Sequence, residues 1–299
     1  MPARRCRPLP NEPSTVDAMP MNPCRLLAPC PRLALALTLA ALSSPASAIF
    51  HNGGFETGDF TGWTLEGGVN PGLVGAPPFT GASVQITPGA AGPANVVGAG
   101  ADPRAPTIVL PRVGQNTARL NDENGGALVT RLRQVDTVTA ADIDPLDGLP
   151  HIRFAFAPVL DDPSHAPHEQ PYFYVVVRNL ADNSVLFEQF AYSGQAGVQF
   201  LSGAGSWKYL EFQDVDAVLP ATALGQQVEL TVIAADCSLG GHGGYVYVDG
   251  FGSAPVGPGG GNGTTPTAVP ATDPLALGLL GLITGWIGWR AQRRSAGNA

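Results

Sequence analysis

The residues best suited to chemistry lie in one stretch, residues 236–251, which reads DCSLGGHGGYVYVDGF. Asp236 offers a carboxylate and His242 an imidazole, and the glycines around His242 let the chain turn tightly. Both side chains are of the kinds that bind metal ions or polar ligands. A tight turn of a β-sandwich, in which these side chains hydrogen-bond to the backbone, explains the same pattern, so both interpretations stay open.

A second polar cluster lies in residues 161–171, DDPSHAPHEQP, which hold His165 and His168. A transition-metal site would need these histidines to converge with His242 and a carboxylate, since zinc takes about four N, S or O ligands. Histidines in such turns often hydrogen-bond to backbone instead. We treat His165, His242 and Asp236 as ligand-binding candidates and assign them no transition metal.

Catalysis is not expected. Ser238, His242 and Asp236 are the residue types of a nucleophile, a base and an orienting acid, and they lie close in sequence. A triad is defined by geometry, however, and none of the usual strand–turn–helix contexts surrounds Ser238. We therefore predict that the protein is not an enzyme and has no catalytic residue.

The flanking segments indicate how these residues are positioned. Residues 228–236 and 245–251 are rich in β-branched and aromatic residues, which predicts a hairpin closed by the glycine loop. Alternation places Tyr245, Tyr247 and Asp249 on one face of the second strand, with the intervening valines on the other.

Further strands are predicted at residues 151–160, 172–179 and 185–193, the last two joined by an Asp-Asn-Ser turn. Residues 127–138 also favour a strand, with a bulge where Arg131 and Arg133 share a face with valines. Residues 67–106 are dominated by Gly, Ala and Pro and predict a long loop of undetermined role.

The charge of the central region excludes one class of partner. Residues 49–272 contain 21 Asp and Glu against 8 Lys and Arg, a formal charge of −13. Nucleic-acid binding relies on Lys and Arg contacts to phosphates, so we predict no nucleic-acid partner. Acidic loops suit a divalent cation.

The N-terminal region predicts export. Arg25 and Arg32 precede the apolar residues 33–42, and the small residues of SPASA follow, which is typical of a signal peptide cut by signal peptidase after Ala48. The first 48 residues are therefore assigned to an N-terminal extension and signal peptide, and Met21 is a plausible alternative start. Three of the four cysteines lie in this leader, which leaves Cys237 without a disulfide partner in the mature chain.

The C-terminal region predicts a tether and a membrane anchor. Residues 253–268 are too rich in Gly and Pro to hold a regular element. Residues 275–289 are uncharged and mostly apolar, and a basic tail of Arg290, Arg293 and Arg294 follows. That order favours a transmembrane helix with a cytoplasmic end, although the run is short against the ~20 residues that span a bilayer.

The segment NGGFETGDFTGW, residues 52–63, resembles the first strand and turn of extracellular jelly-roll modules, which include many carbohydrate-binding domains. A wider pattern resembles a β-sandwich domain of environmental-bacterial surface proteins. The matching residues are His165, Gln170, Pro171, Tyr172, Asp236, Cys237, Gly240, Gly241, His242, Gly244, Tyr245, Tyr247 and Asp249. Jelly rolls of this kind often hold structural calcium beside their first and last strands, and that resemblance implies Glu56 and Asp249 as its ligands.

The C-terminal layout resembles sorting signals of the PEP-CTERM type, which exosortase proteases are thought to recognise. The motif residues are Val269, Pro270, Asp273 and Pro274, although Pro-Glu-Pro itself is missing. Residues 269–299 are therefore assigned to a sorting motif, a transmembrane helix and the basic tail. The resemblance implies an inner-membrane-anchored intermediate that an exosortase-like protease releases to the cell surface.

These observations predict an all-β protein: one antiparallel β-sandwich of jelly-roll type over residues 49–252, with an immunoglobulin-like sandwich as the alternative. The expected function is that of a non-enzymatic exported cell-surface or extracellular-matrix protein. The alternative function is an extracellular carbohydrate-binding module, with polysaccharide as the partner and tyrosines as its binding surface.

Overall fold

The structure, a computed structural model, describes residues 49–256. The predicted signal peptide, most of the linker, the sorting motif with Val269, Pro270, Asp273 and Pro274, the apolar run and the basic tail with Arg290, Arg293 and Arg294 lie outside the described residues. Within residues 49–256, no helix is long and apolar enough to cross a membrane.

The described chain is all-β. Its strands are β1 (Thr64–Val69), β2 (Thr87–Gly89), β3 (Ala94–Val97), β4 (Gly100–Ala101), β5 (Val109–Leu110), β6 (Thr117–Leu120), β7 (Leu128–Thr137), β8 (His151–Asp161), β9 (Tyr172–Asn179), β10 (Val185–Tyr192), β11 (Leu201–Ser202), β12 (Trp207–Tyr209), β13 (Gln213–Val218), β14 (Gln227–Ala235) and β15 (Gly244–Gly252). The helical elements are three single 3₁₀ turns, Gly81–Ser83, Ala140–Asp142 and Ala221–Ala223.

The longer strands form two antiparallel sheets. Sheet A has the order β10-β9-β14-β7-β1-β2, and sheet B has the order β11-β12-β8-β15-β6-β3, with β13 also paired to β8. Strands β4 and β5 pair separately. The predicted strands at 151–160, 172–179 and 185–193 are confirmed, as is the pairing of the last two across their turn.

A shared core joins the two sheets into a β-sandwich. Leu132, Val175 and Val232 of sheet A pack with Phe154 and Val246 of sheet B in one fully buried cluster. The alternation of side chains explains which residues enter the core, because neighbouring residues in each strand point to opposite faces of the sheet. The predicted faces of β15 are confirmed: its valines enter this core and its tyrosines point away from it.

Residues 67–106, predicted as one long loop, contain the end of β1 and strands β2, β3 and β4, so that prediction was wrong in part. Residues 70–86 and 98–110, the covering segment, lie on the outer faces of the two sheets. Leu73 and Phe79 pack on Tyr172 and Tyr174 outside sheet A. Further along, Ala105, Ile108 and Leu110 pack on Trp207 and on the tyrosines of β15 outside sheet B. Its small residues permit close approach: a side chain at Gly81 would collide with the ring of Tyr174. The segment is therefore structural as well as connecting.

Three expectations about local structure were wrong. Strands β14 and β15 do not pair as a hairpin, because β14 lies between β7 and β9 in sheet A and β15 between β6 and β8 in sheet B. The first strand begins at Thr64, after the turns that residues 52–63 form. The register of β7 against β14 is continuous at Arg131 and Arg133, because ion pairs to Glu66 and Glu229 allow both arginines to stay on the outer face.

Asp102 fixes the covering segment to sheet B. One carboxylate oxygen accepts hydrogen bonds from the Tyr245 and Tyr247 hydroxyls at 2.8 and 2.7 Å, and the other from the amides of Arg104 and Ala105. Burial and the contact with Asp102 raise the pKa of both tyrosines, which keeps their hydroxyls as donors.

Replacing Asp102 with Ala should lower the free energy of unfolding by about 3 kcal/mol, because it leaves two buried hydroxyls and two amides without their acceptor. Urea denaturation followed by tyrosine and tryptophan fluorescence measures the change. The matched control is Asp182→Ala in an exposed turn, where we expect a loss below about 1 kcal/mol. Equal losses in the two variants would contradict the role given to Asp102.

Candidate functional site

Two loops that carry the polar clusters meet at one corner of the sandwich. Residues 162–171 leave β8 in sheet B and enter β9 in sheet A, while residues 236–243 run from β14 in sheet A to β15 in sheet B. Because Leu160 pairs with Gly244 and Tyr172 pairs with Ala235, both crossings lie at the same end of the molecule. The topology therefore brings together residues about seventy positions apart.

Asp236 holds this corner together and is itself fully buried. Its side chain accepts hydrogen bonds from the Leu128 and Gly244 amides at 3.0 and 3.2 Å and from the Asn121 side chain at 2.8 Å. Burial raises the pKa of Asp236 to about 7, against the lowering effect of those hydrogen bonds. Both carboxylate oxygens are thus occupied by the protein, which is the arrangement of a structural residue.

His165 and His242, both ligand-binding candidates, lie side by side across the corner with ring centroids 5.0 Å apart. Cys237 joins them: its Sγ is 3.7 Å from Nδ1 of His242, and one ligand atom from each of the three residues lies within 4.8 Å of the others. His168 is not part of the group; its side chain is 53% exposed and faces Glu169. Sequence reasoning missed Cys237 as a member, although it lies five positions before His242.

The predicted calcium ligands, Glu56 and Asp249, both accept hydrogen bonds from one segment, residues 112–117. Asp249 accepts hydrogen bonds from the Arg112 and Val113 amides at 2.9 Å, and Glu56 accepts one from the Gln115 amide at 2.8 Å. Gly114 lies between them with φ +68°, where a side chain would strike the Glu56 carboxylate. The two carboxylates therefore organise the same turn.

Among the described residues, one carboxylate oxygen of Asp249 accepts no hydrogen bond. Its Oδ1 is buried and has no hydrogen-bond partner among the described residues, while burial raises the pKa of the carboxyl to about 7 despite hydrogen bonds from Val113 and Thr117. An orphaned carboxylate oxygen fits a hard cation such as calcium, and the exposed carboxylate of Glu56, which hydrogen-bonds to the same turn, offers a second oxygen donor. Calcium stays a prediction.

A groove of about 330 Å³ runs along the outer face of sheet A, beside the covering segment. Its walls combine aliphatic and polar side chains from the covering segment and from β7, β9 and β14. They are Gly81, Val84, Ile86, Arg131, Tyr174, Val176, Arg178, Glu229, Thr231 and Ile233. Sequence reasoning did not select these residues, although alternation along β7 and β14 already placed their polar residues together on one face.

Hydrogen bonds hold the polar side chains of this groove in place. The Tyr174 hydroxyl donates to Glu188 at 3.0 Å and accepts a hydrogen bond from Arg178 at 3.3 Å. Arg133, next to the groove, donates to Glu229 at 2.5 Å. Burial, followed by the contact with Glu188, raises the pKa of Tyr174, so its hydroxyl stays protonated. The hydrogen-bond donors and acceptors in the groove are therefore held in fixed positions.

Comparisons with known proteins yield weak structural similarity. No family model and no curated protein matches the sequence. Among solved structures, the chain is similar to a carbohydrate-binding module, CBM27-1 of Caldicellulosiruptor saccharolyticus in complex with mannohexaose (14% identity, 53% of this chain and 80% of that one, TM-score 0.30). It is also similar to the K2 cleaved adhesin domain of Lys-gingipain (14%, 67% and 94%, TM-score 0.32) and to a non-crystalline-cellulose-specific CBM28 (12%, 69% and 93%, TM-score 0.31). Scores of this size establish neither a shared family nor a shared ligand.

The calcium prediction is tested by thermal melting of the protein with calcium and with chelator. Calcium at about 100 times its Kd should raise Tm by roughly 5 °C or more, because the ion binds only the folded state. Asp249→Ala and Glu56→Gln should both reduce the rise, whereas Glu211→Gln, at an exposed position elsewhere, should leave it intact. Identical melting of the parent protein with calcium and with chelator would contradict the prediction.

Proposed function

We propose that this is an exported, non-enzymatic cell-surface protein whose β-sandwich binds a neutral polysaccharide along the outer-face groove of sheet A. The observation that carries this proposal is the groove itself, whose lining combines aliphatic side chains with hydrogen-bonded polar groups. Sugars require both, because their C–H faces pack on apolar surface and their hydroxyls need paired donors and acceptors.

The register of the strands arranges these groups in rows across the sheet. Tyr174, Ile233 and Arg131 are direct neighbours on β9, β14 and β7. Two same-face positions further along these strands, beyond the Val176–Thr231 pair, Arg178 is opposite Glu229. An extended chain lying along the strands would therefore meet the row of Tyr174, Ile233 and Arg131 at one end and the Arg178–Glu229 pair at the other.

The charge around the groove favours a neutral ligand. Arg131, Arg133 and Arg178 are balanced by Glu66, Glu188 and Glu229. Arginine and glutamate hydrogen-bond readily to neighbouring hydroxyl groups, whereas an acidic polysaccharide would be repelled by the −13 formal charge of residues 49–272.

A jelly-roll winding is part of the proposal and rests on how the chain alternates between sheets. Strands β6, β7, β8 and β9 lie in sheets B, A, B and A, and β14 and β15 cross again from A to B. Strands from both halves of the chain are thereby interleaved in each sheet, as in antiparallel jelly rolls.

A second candidate function, a structural or matrix role without a small ligand, is favoured by one observation. Among residues 49–256, no Phe, Tyr or Trp is among the exposed large hydrophobic side chains. The flat aromatic platform on which many sugars stack is therefore not present on the described surface, and binding would depend on the groove alone.

Polysaccharide binding is tested by affinity electrophoresis and calorimetry with soluble mannan, xylan and a soluble cellulose derivative. We expect binding to at least one, weakened about 10- to 100-fold by Glu229→Ala and by Arg178→Ala, because each removes charge-assisted hydrogen bonds. Arg112→Ala is the matched control: it removes an arginine paired with Asp214 away from the groove and should leave affinity unchanged. No binding to any of the three polymers would favour the structural role.

Export and sorting form the other half of the proposal. The support is the order of features in sequence: a leader ending at Ala48, a Gly- and Pro-rich tether, a Pro-rich motif, an apolar run and an arginine cluster. In that arrangement signal peptidase removes the leader, and the apolar run holds the chain in the inner membrane. An exosortase-like protease then cuts near Val269 to Pro274 and releases the domain to the surface.

Peptide mass spectrometry of the protein from native cell envelopes and medium tests this processing. We expect mature chains to begin at Ile49 and to end before the apolar run at residues 275–289. Replacing Pro270 and Pro274 with Ala should retain the protein in the membrane fraction. Mature chains that still extend through Trp289 would leave a plain membrane anchor in place of the sorting signal.

A further inference from the structure

The corner formed by the two crossing loops holds a group of side chains that neither the fold nor the groove requires. Cys237 is fully buried, and His165 and His242 are partly buried beside it. Cys237 is a free cysteine, and each of the two histidines comes from a different loop. Thiolate and imidazole are the preferred ligands of zinc and related borderline-soft metal ions.

The spacing of the ligand atoms fits one metal ion. Around a tetrahedral zinc, with Zn–S of about 2.3 Å and Zn–N of about 2.0–2.1 Å, neighbouring ligand atoms are roughly 3.4 to 3.6 Å apart. Cys237 Sγ and His242 Nδ1 are 3.7 Å apart, and all three ligand atoms lie within 4.8 Å of one another. Any separation above that range must shorten when the ion binds.

His165 adds an independent observation. Its Nδ1 is buried and has no hydrogen-bond partner among the described residues, an arrangement that costs free energy unless something binds there. The neighbouring Gln170, which donates to the His165 carbonyl at 3.0 Å, also has a buried and unpaired side-chain oxygen. Two buried, unpaired polar atoms thus lie in the loop that carries His165.

The backbone holds the three residues in place. The Cys237 amide donates to the His242 carbonyl at 3.0 Å, which closes the turn and sets these two side chains next to each other. The Ser238 amide donates to the Glu169 carbonyl at 3.0 Å and joins this turn to the loop that carries His165. Ligands that the backbone already holds in position favour tight metal binding, because few side chains and loops have to be ordered when the ion binds.

We propose that His165, Cys237 and His242 bind one zinc ion, which cross-links the two loops that pass between the sheets. Three protein ligands leave the fourth position to water, and the Cys237 thiol loses its proton when the metal binds. The full burial of Cys237 argues against the other use of a cysteine–histidine pair, a nucleophile that needs access to substrate.

The experiment uses the full chain, exported and purified without a histidine tag, stripped with chelator and titrated with zinc and separately with cobalt(II). We expect one zinc per chain by elemental mass spectrometry and calorimetry. Cobalt should give a thiolate-to-metal charge-transfer band that Cys237→Ser abolishes. Saturation at about 100 times the Kd should raise Tm by roughly 5 to 10 °C.

Histidine variants make the test independent of any folding defect caused by replacing buried Cys237. His165→Ala and His242→Ala should each weaken zinc binding by at least ~100-fold while circular dichroism stays unchanged. His168→Ala, on the same loop as His165 but with its side chain directed to solvent, should bind zinc as the parent does. Glu56→Gln should also leave zinc binding intact, which separates this site from the predicted calcium site.

Two results would overturn the proposal. One is the lack of stoichiometric zinc in the parent protein, which would reduce the cluster to an S–H···N contact between Cys237 and His242. The other is equal zinc affinity in the His165→Ala and His168→Ala variants, which would mean that the ion binds elsewhere.

Discussion

The carboxylate of Asp236 is the interaction on which the corner of the sandwich depends. It accepts hydrogen bonds from the start of β7, the start of β15 and the Asn121 side chain just after β6, while its own backbone carbonyl accepts one from Asn70. One buried acid thus joins parts of both sheets. A carboxylate without these partners would be costly in that buried position, so the packing of the corner depends on all of them.

The covering segment shields apolar side chains on the outer faces of the two sheets. A two-sheet sandwich has two outer faces, and both faces here carry large apolar residues, including the tyrosines of β9 and β15. The Gly-, Ala- and Pro-rich chain between β1 and β6 covers much of that surface, because small residues let it lie close to aromatic rings. Where this cover ends on sheet A, the groove begins. Composition that suggested a connecting loop therefore also shapes the proposed binding surface.

Local patterns predicted local structure well. The alternation of residues 245–249 correctly separated core valines from outward tyrosines, and the β9–β10 hairpin followed from its turn residues. The pairing of strands was harder to predict, because an apolar run does not indicate which sheet the strand joins. Residues 228–236 and 245–251 look like the two arms of a hairpin, yet the intervening loop carries the chain from one sheet to the other.

Because sequence patterns do not indicate how strands and loops are brought together, the candidate sites could be predicted only in part. His165 and His242 were selected for their chemistry, but their contact depends on two crossing loops that meet at one end, which no short-range pattern contains. Counting cysteines assigns Cys237 no cross-link, because the other three cysteines lie in the predicted leader. A thiol can also cross-link through a metal, and then its partners are histidines.

The edges of the two sheets have a consequence for how copies of the domain behave at high local concentration. Sheet A ends at β2, which has three residues and contains Pro88, and sheet B ends at β3, with four residues, on one side. On its other side, the sheet ends at β11, which has two residues, and β13, which also pairs with β8, carries Asp214 and Asp216, both exposed. Short, proline-containing or charged edges are poor templates for an additional strand. Neighbouring copies can therefore crowd together with little tendency to fuse their sheets there, and β10, with eight residues, is the edge at which strand exchange between molecules would begin.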